Sequence, residues 1–212
     1  MQSDTATRSG VLVIACGALA REIAALRRAN DWRALDVTCL PPELHNRPEL
    51  IPAAVQGAIR RHRDHYQALY VAYADCGTGG RLDAMLRAER VERLPGAHCY
   101  ESFATPDVFA GLSDAEPGTF YLTDFLLRHF DRLVHRGLGL DRYPQLAAEY
   151  FRHYRRLVYL AQTENFEAQQ RAHSIADSLD LAYQYHFTGY GALGSALAAL
   201  QPPRTAVITW RH

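Results

Sequence analysis

The run VLVIACG, residues 11–17, decides the fold. Its apolar stretch is too short for an amphipathic helix but suits a strand buried on both faces, and the glycine after Cys16 ends it in a tight turn. Ala18 to Asn30 then carries Leu19, Ile23 and Leu26 at helical spacing, so strand, turn and helix follow in order. The same grammar returns in LYVAYADCG, residues 69–77, and in PGAHCYE, residues 95–101. Cys16, Cys76 and Cys99 each stand where a hydrophobic run gives out into a Gly-rich or polar turn.

Working outward, LDVTCL, residues 35–40, alternates like a strand and stops at Pro41-Pro42; LHNRPELIP then feeds a helix from Glu49 to Tyr66, with Pro48 suited to a first turn. Residues 68–74 make a third strand, followed by a helix to Arg90, and residues 91–100 hold a fourth, cut by Pro95-Gly96 and so short or at an edge. Phe120 to Val134 has helical spacing with room for a short strand before it, and Pro144 opens a helix to Arg156. Residues 157–161, 181–187 and 205–210 read as strands, and 164–179 and 190–200 as helices. This alternation predicts an α/β fold, a mainly parallel, doubly wound three-layer α/β/α sheet. The expected organisation is a disordered tail over residues 1–10 and a single α/β domain over 11–212.

Composition narrows the function. Lys+Arg and Asp+Glu balance at 23 each, which gives no field to attract nucleic acid or an anionic membrane. No apolar run reaches the roughly 20 residues that span a bilayer, and the polar stretch Met1 to Gly10 lacks a signal-peptide core, so a cytoplasmic location is expected. In that reducing compartment four cysteines point to free thiols, metal ligation or catalysis rather than disulfides.

In an open parallel sheet the C-terminal strand ends face the ligand crevice, so Cys16, Cys76 and Cys99 are expected to converge there as metal ligands. Thiolates suit zinc or, alternatively, an iron–sulfur cluster; three protein ligands leave a position open, and a fourth donor could come from His98, Asp75, Glu101 or His45. The competing reading is three small buried hydrophobes at strand ends. Cys39, just before LPPEL, reads as packing. His45, His98 and Glu101 are candidate catalytic groups, with Cys99 turned inward and His98 or Glu101 supporting it. In DCGTGG, residues 75–80, Asp75, Gly77, Thr78, Gly79 and Gly80 are candidates for binding an anionic group through free N–H groups, although the loop is neither GxGxxG nor Walker A. Thr123 or Asp124 reads as a helix N-cap, and Tyr159, Gln162 and Thr163 could reach the same crevice.

Taken in order, ACGALAREI, LPPELHNRPELI, YADCGTGG, PGAHCYE, EPGTFYLTDFL and VYLAQT resemble the domain-of-unknown-function family numbered 1638, from Val11 to about Gly191. The resemblance implies a shared site at Cys16, Cys76, His98, Cys99 and Glu101, and an association with corrinoid-dependent methyltransferase systems. A corrinoid-binding DxHxxG loop is not visible in the chain. The expectation is thus a cytosolic thiolate-metal protein in or beside methyl transfer, taking a small-molecule substrate or a corrinoid/methyltransferase partner protein. The alternatives are an iron–sulfur or thiol-redox protein and a non-catalytic ligand-binding module.

Overall fold

The computed structural model describes residues 8–201, and the strand expected at 205–210 lies outside them. The first half runs β1 (Arg8–Cys16), α1 (Ala20–Ala29), β2 (Leu35–Leu40), α2 (Ile51–His62), β3 (Tyr66–Ala72), α3 (Arg81–Glu89) and β4 (Glu92–Arg93). Then come α4 (Cys99–Ala104) and α5 (Pro106–Ala115). The second half runs β5 (Thr119–Thr123), α6 (Asp124–Arg128), α7 (Leu146–Phe151), β6 (Arg156–Ala161), α8 (Phe166–Ser178), β7 (Ala182–Phe187) and α9 (Gly191–Ala199). Strand β1 takes in Arg8 to Gly10, which the sequence reading had assigned to the tail.

The α/β alternation is present and every described strand pair is parallel. The strands form two sheets, ordered β2-β1-β3-β4 and β5-β6-β7, rather than one. The break has a local cause. β4 pairs with β3 only through Glu92 and Arg93, and Pro95, with no N–H to donate, cannot extend the ladder. The chain from Cys99 onward turns helical instead of continuing the strand expected over 91–100.

Strand β1 is central, and Val13, Ile14, Ala15 and Cys16 are fully buried between layers, each large aliphatic chain contributing about 1.5–3 kcal/mol. β2 lies at the edge, so Cys39 is exposed there rather than packed as expected. Helix α9 follows β7, yet its Leu193 and Leu197 are buried in the core of the first sheet. Gly191 makes this possible: a Cβ there would collide with the Phe103 carbonyl, so only glycine lets α9 lie on α4. Between β1 and β3 the strand order reverses, since the β2-to-β3 connection crosses over β1. Such a switch point opens a crevice at the C-terminal strand ends.

Candidate metal centre

Cys16 ends β1 at that switch point, and its sulfur accepts a hydrogen bond from the Ala18 N–H at 3.3 Å. A Cβ at Gly17 would stand 3.0 Å from both the Leu40 carbonyl oxygen and Pro42 Cδ. The glycine therefore lets the Pro41-Pro42 loop settle over the strand end and deliver His45. His45 sits on the short 3-10 turn Pro42–Asn46, its Nδ1 3.0 Å from the Pro42 carbonyl oxygen and 3.8 Å from the Cys16 sulfur. A carbonyl can only accept, so Nδ1 carries the proton and, in the neutral ring, Nε2 keeps a lone pair for ligation. A backbone carbonyl behind an imidazole is the usual way to orient a metal-binding histidine. The ring also stacks on Tyr73, with centroids 6.1 Å apart and planes 11° from parallel.

Cys76 and Cys99 are brought together by the backbone. Beyond the end of β3, Asp75 N–H donates to the Gly96 carbonyl at 3.1 Å and Cys76 N–H to the Ala97 carbonyl at 2.8 Å. This zips the DCG turn onto the PGAH turn and sets the two sulfurs 3.2 Å apart. Cys76 holds a left-handed backbone at φ 50°, an unfavourable conformation for a residue with a side chain. Ligand atoms of His45, Cys76 and Cys99 all lie within 4.8 Å of one another, close enough to hold a metal ion. Cys16 stands outside that mutual set and touches it through His45.

The electrostatics of the cluster are asymmetric. The Cys99 thiol is held well below its ordinary value, first by the hydrogen bond from Cys76 and then, against burial, by His45 and a backbone hydrogen bond at Ala74. Cys76, the donor to Cys99 and itself buried, is pushed up. Burial works against charge on His45, but hydrogen bonds to Cys16 and Cys99 outweigh it and raise the imidazole to about 10. Tyr73 is fully buried, its hydroxyl finds no hydrogen-bond partner of normal geometry, and burial with the nearby Cys16 sulfur raises its pKa.

The remaining candidates fall into place around this cluster. Asp75 accepts from Thr78 Oγ1 at 2.5 Å, Gly79 N–H at 3.0 Å and Gly80 N–H at 2.9 Å. The amides expected to cradle an anion are thus occupied by the loop's own carboxylate, and Gly77 is the loop glycine that lines the crevice. Glu101 Oε1 accepts from Ala97 N–H at 2.8 Å and His98 N–H at 3.2 Å, so its carboxylate caps α4. His98, the N-cap residue, lines the crevice without joining the mutual set. Thr123 caps α6, its hydroxyl accepting from the Leu126 N–H at 3.3 Å. Tyr159, Gln162 and Thr163 close instead on buried Asp124, which accepts from the Tyr159 hydroxyl at 2.8 Å, the Gln162 N–H at 3.1 Å and Thr163 Oγ1 at 2.6 Å.

The cluster opens into a cavity of about 570 Å³ between the two halves. Phe120, Phe125, Leu126, Leu133, Phe151 and Tyr154 supply much of its far wall. Sequence reasoning missed this wall. The signal was the density of aromatic residues over 120–130 and 150–154, which helical spacing alone reads as core.

A family model described as a protein of unknown function (DUF1638) matches residues 39–197, and the chain belongs to that family. No curated protein and no solved structure matches the chain.

Proposed function

We propose that this DUF1638 protein is a cytosolic thiolate-metal protein that holds zinc with His45, Cys76 and Cys99 and presents a substrate thiol for methyl transfer. The observation that carries the reading is the mutual approach of those three ligand atoms within 4.8 Å at the end of a cavity. Two sulfurs and one nitrogen match the donor set of zinc, and three protein ligands leave one tetrahedral position for substrate. In such a site sulfur–sulfur separations are roughly 3.8 Å and sulfur–nitrogen separations roughly 3.6 Å, from zinc bonds of about 2.3 and 2.0 Å. Cys76 and Cys99, now 3.2 Å apart, would need to part by only about half an ångström on loading.

Zinc held by thiolates lowers the pKa of an incoming thiol. The thiol proton would leave first, to solvent water. The sulfur lone pair would then form the sulfur–carbon bond as the bond between the methyl carbon and its donor breaks, that bond's electron pair staying on the donor. A methylcorrinoid presented by a partner protein is the donor class that the family's associations suggest. His45, fixed by Pro42, and the Cys76–Cys99 pair orient the acceptor; Cys16 backs the imidazole.

Elemental analysis of anaerobically purified protein tests the reading. One zinc per chain, lost in Cys76→Ser and Cys99→Ser, supports it; metal-free protein, or metal retained in both variants, rejects it. The 3.2 Å sulfur contact also favours a second reading, a dithiol redox pair. In that case mild oxidation would form a Cys76–Cys99 disulfide reversibly in protein that binds no metal.

A further inference from the structure

The chemistry of the cavity lining bears on which thiol the centre accepts. Among the described residues no Asp, Glu, Lys or Arg lines the cavity. Its polar contribution is confined to neutral groups such as Asn46 and Thr123 and to the His45, His98 and cysteine side chains at the metal-binding end. The far wall is aromatic and aliphatic: Phe120 meets Phe151 edge-on at 5.5 Å and Tyr154 at 5.6 Å. A cavity of about 570 Å³ falls within the size range of pockets that enclose small organic molecules. A charged group on the body of the substrate would exchange water for this apolar wall, where no Lys or Arg replaces the lost hydration, a penalty for an anion away from the metal-binding end. The loop that could have offered amides to an anion has turned Gly79 and Gly80 onto Asp75.

We infer that the cavity selects an uncharged thiol carried on an apolar body, with its sulfur at the His45–Cys76–Cys99 end and its body along Phe120, Phe125 and Leu133. This rests on the zinc reading above and adds the substrate class to it. The wall comes from the second half of the chain and the sulfur cluster from the first, so recognition and activation are divided between the two sheets.

The test uses full-length protein loaded with Co(II) in place of zinc, whose visible bands report a thiol entering the open position. The probes are ethanethiol, 1-butanethiol, 1-hexanethiol and 2-mercaptoethanesulfonate. The expected result is a Kd that falls about fourfold per added methylene, with the sulfonate at least about tenfold weaker than 1-butanethiol. Tyr150→Asp, at a half-exposed position on the cavity rim, is expected to weaken 1-hexanethiol and spare ethanethiol. A flat alkyl series, a sulfonate that binds as tightly as the alkyl thiols, or equal weakening of both thiols by Tyr150→Asp overturns the inference while leaving the metal site standing. Protein that takes up neither Co(II) nor zinc overturns both.

Discussion

Replacing the cysteines one at a time should rank them by their place in the cluster. Structural zinc sites bind with about 10–16 kcal/mol shared among their ligands, so one thiolate from the mutual set is worth about 3 kcal/mol, or roughly a hundredfold in affinity. Cys76→Ser and Cys99→Ser should each lose at least that much. Cys16 lies 3.8 Å from His45 Nδ1 and outside the set, so it acts on the ligand rather than on the ion. Loss of such a supporting partner costs about 10–100-fold, and serine retains an acceptor, so Cys16→Ser should fall near tenfold. Cys39 is exposed on the edge strand, and Cys39→Ser should change nothing. The assay is competition for zinc against a chromophoric chelator under anaerobic conditions, with stoichiometry by elemental analysis. If Cys16→Ser costs as much as Cys99→Ser, Cys16 is itself a ligand and the set drawn from this geometry is wrong. An unchanged affinity in Cys99→Ser removes the site altogether.

Thiol chemistry offers a second check: with metal bound, iodoacetamide should modify Cys39 but spare Cys76 and Cys99, and after chelation Cys99 should react ahead of Cys76, since its thiol is the one held low. Equal rates with and without chelator would count against ligation. Gly17→Ala should weaken zinc binding with little loss of fold, because its Cβ would press on the Leu40 carbonyl and Pro42 and displace the His45 loop; unchanged zinc affinity would separate that loop from the site. Asp124→Ala would strand two buried donors, the Tyr159 hydroxyl and the Gln162 N–H, at about 1–3 kcal/mol each, while the exposed Thr163 hydroxyl turns to water, so urea denaturation should show a loss of about 2–5 kcal/mol. A loss below about 1 kcal/mol would show the network to be dispensable. Burial raises Glu22 above its ordinary 4.5 despite Arg128 nearby, so the native state keeps this proton longer than the unfolded chain does. Stability contributed by that proton is complete below 4.5 and is lost as pH rises through the folded value; Glu22→Gln should flatten this fall in a series of melting curves, and an unaltered slope would refute it.

The short buried strands could be read directly from the sequence. VLVIAC, LDVTCL and LVYLA are apolar or alternating runs bounded by turn residues; LDVTCL is β2 residue for residue, LVYLA is β6 but for Arg156, and VLVIAC is the C-terminal part of β1, which begins at Arg8. Cys16 at a strand end and Cys76 in the turn after one followed from the same local grammar. Cys99 reaches Cys76 by a route that the strand grammar did not show: it opens a helix rather than ending a strand, and pairing of the DCG and PGAH turns brings it there. The sequence offered His45 as one of four possible further donors, and only the tertiary structure singled it out, because its position depends on a loop folding over Gly17, a contact with no sequence period. Likewise Gly79 and Gly80 look available in the sequence until the fold turns their amides onto Asp75. The division into two sheets and the aromatic wall between them arose in the same way. Periodicity encodes which face of an element is buried, because that is a property of neighbouring residues. Which buried faces meet depends on contacts distant in sequence, and this chain's cavity is made almost entirely of those.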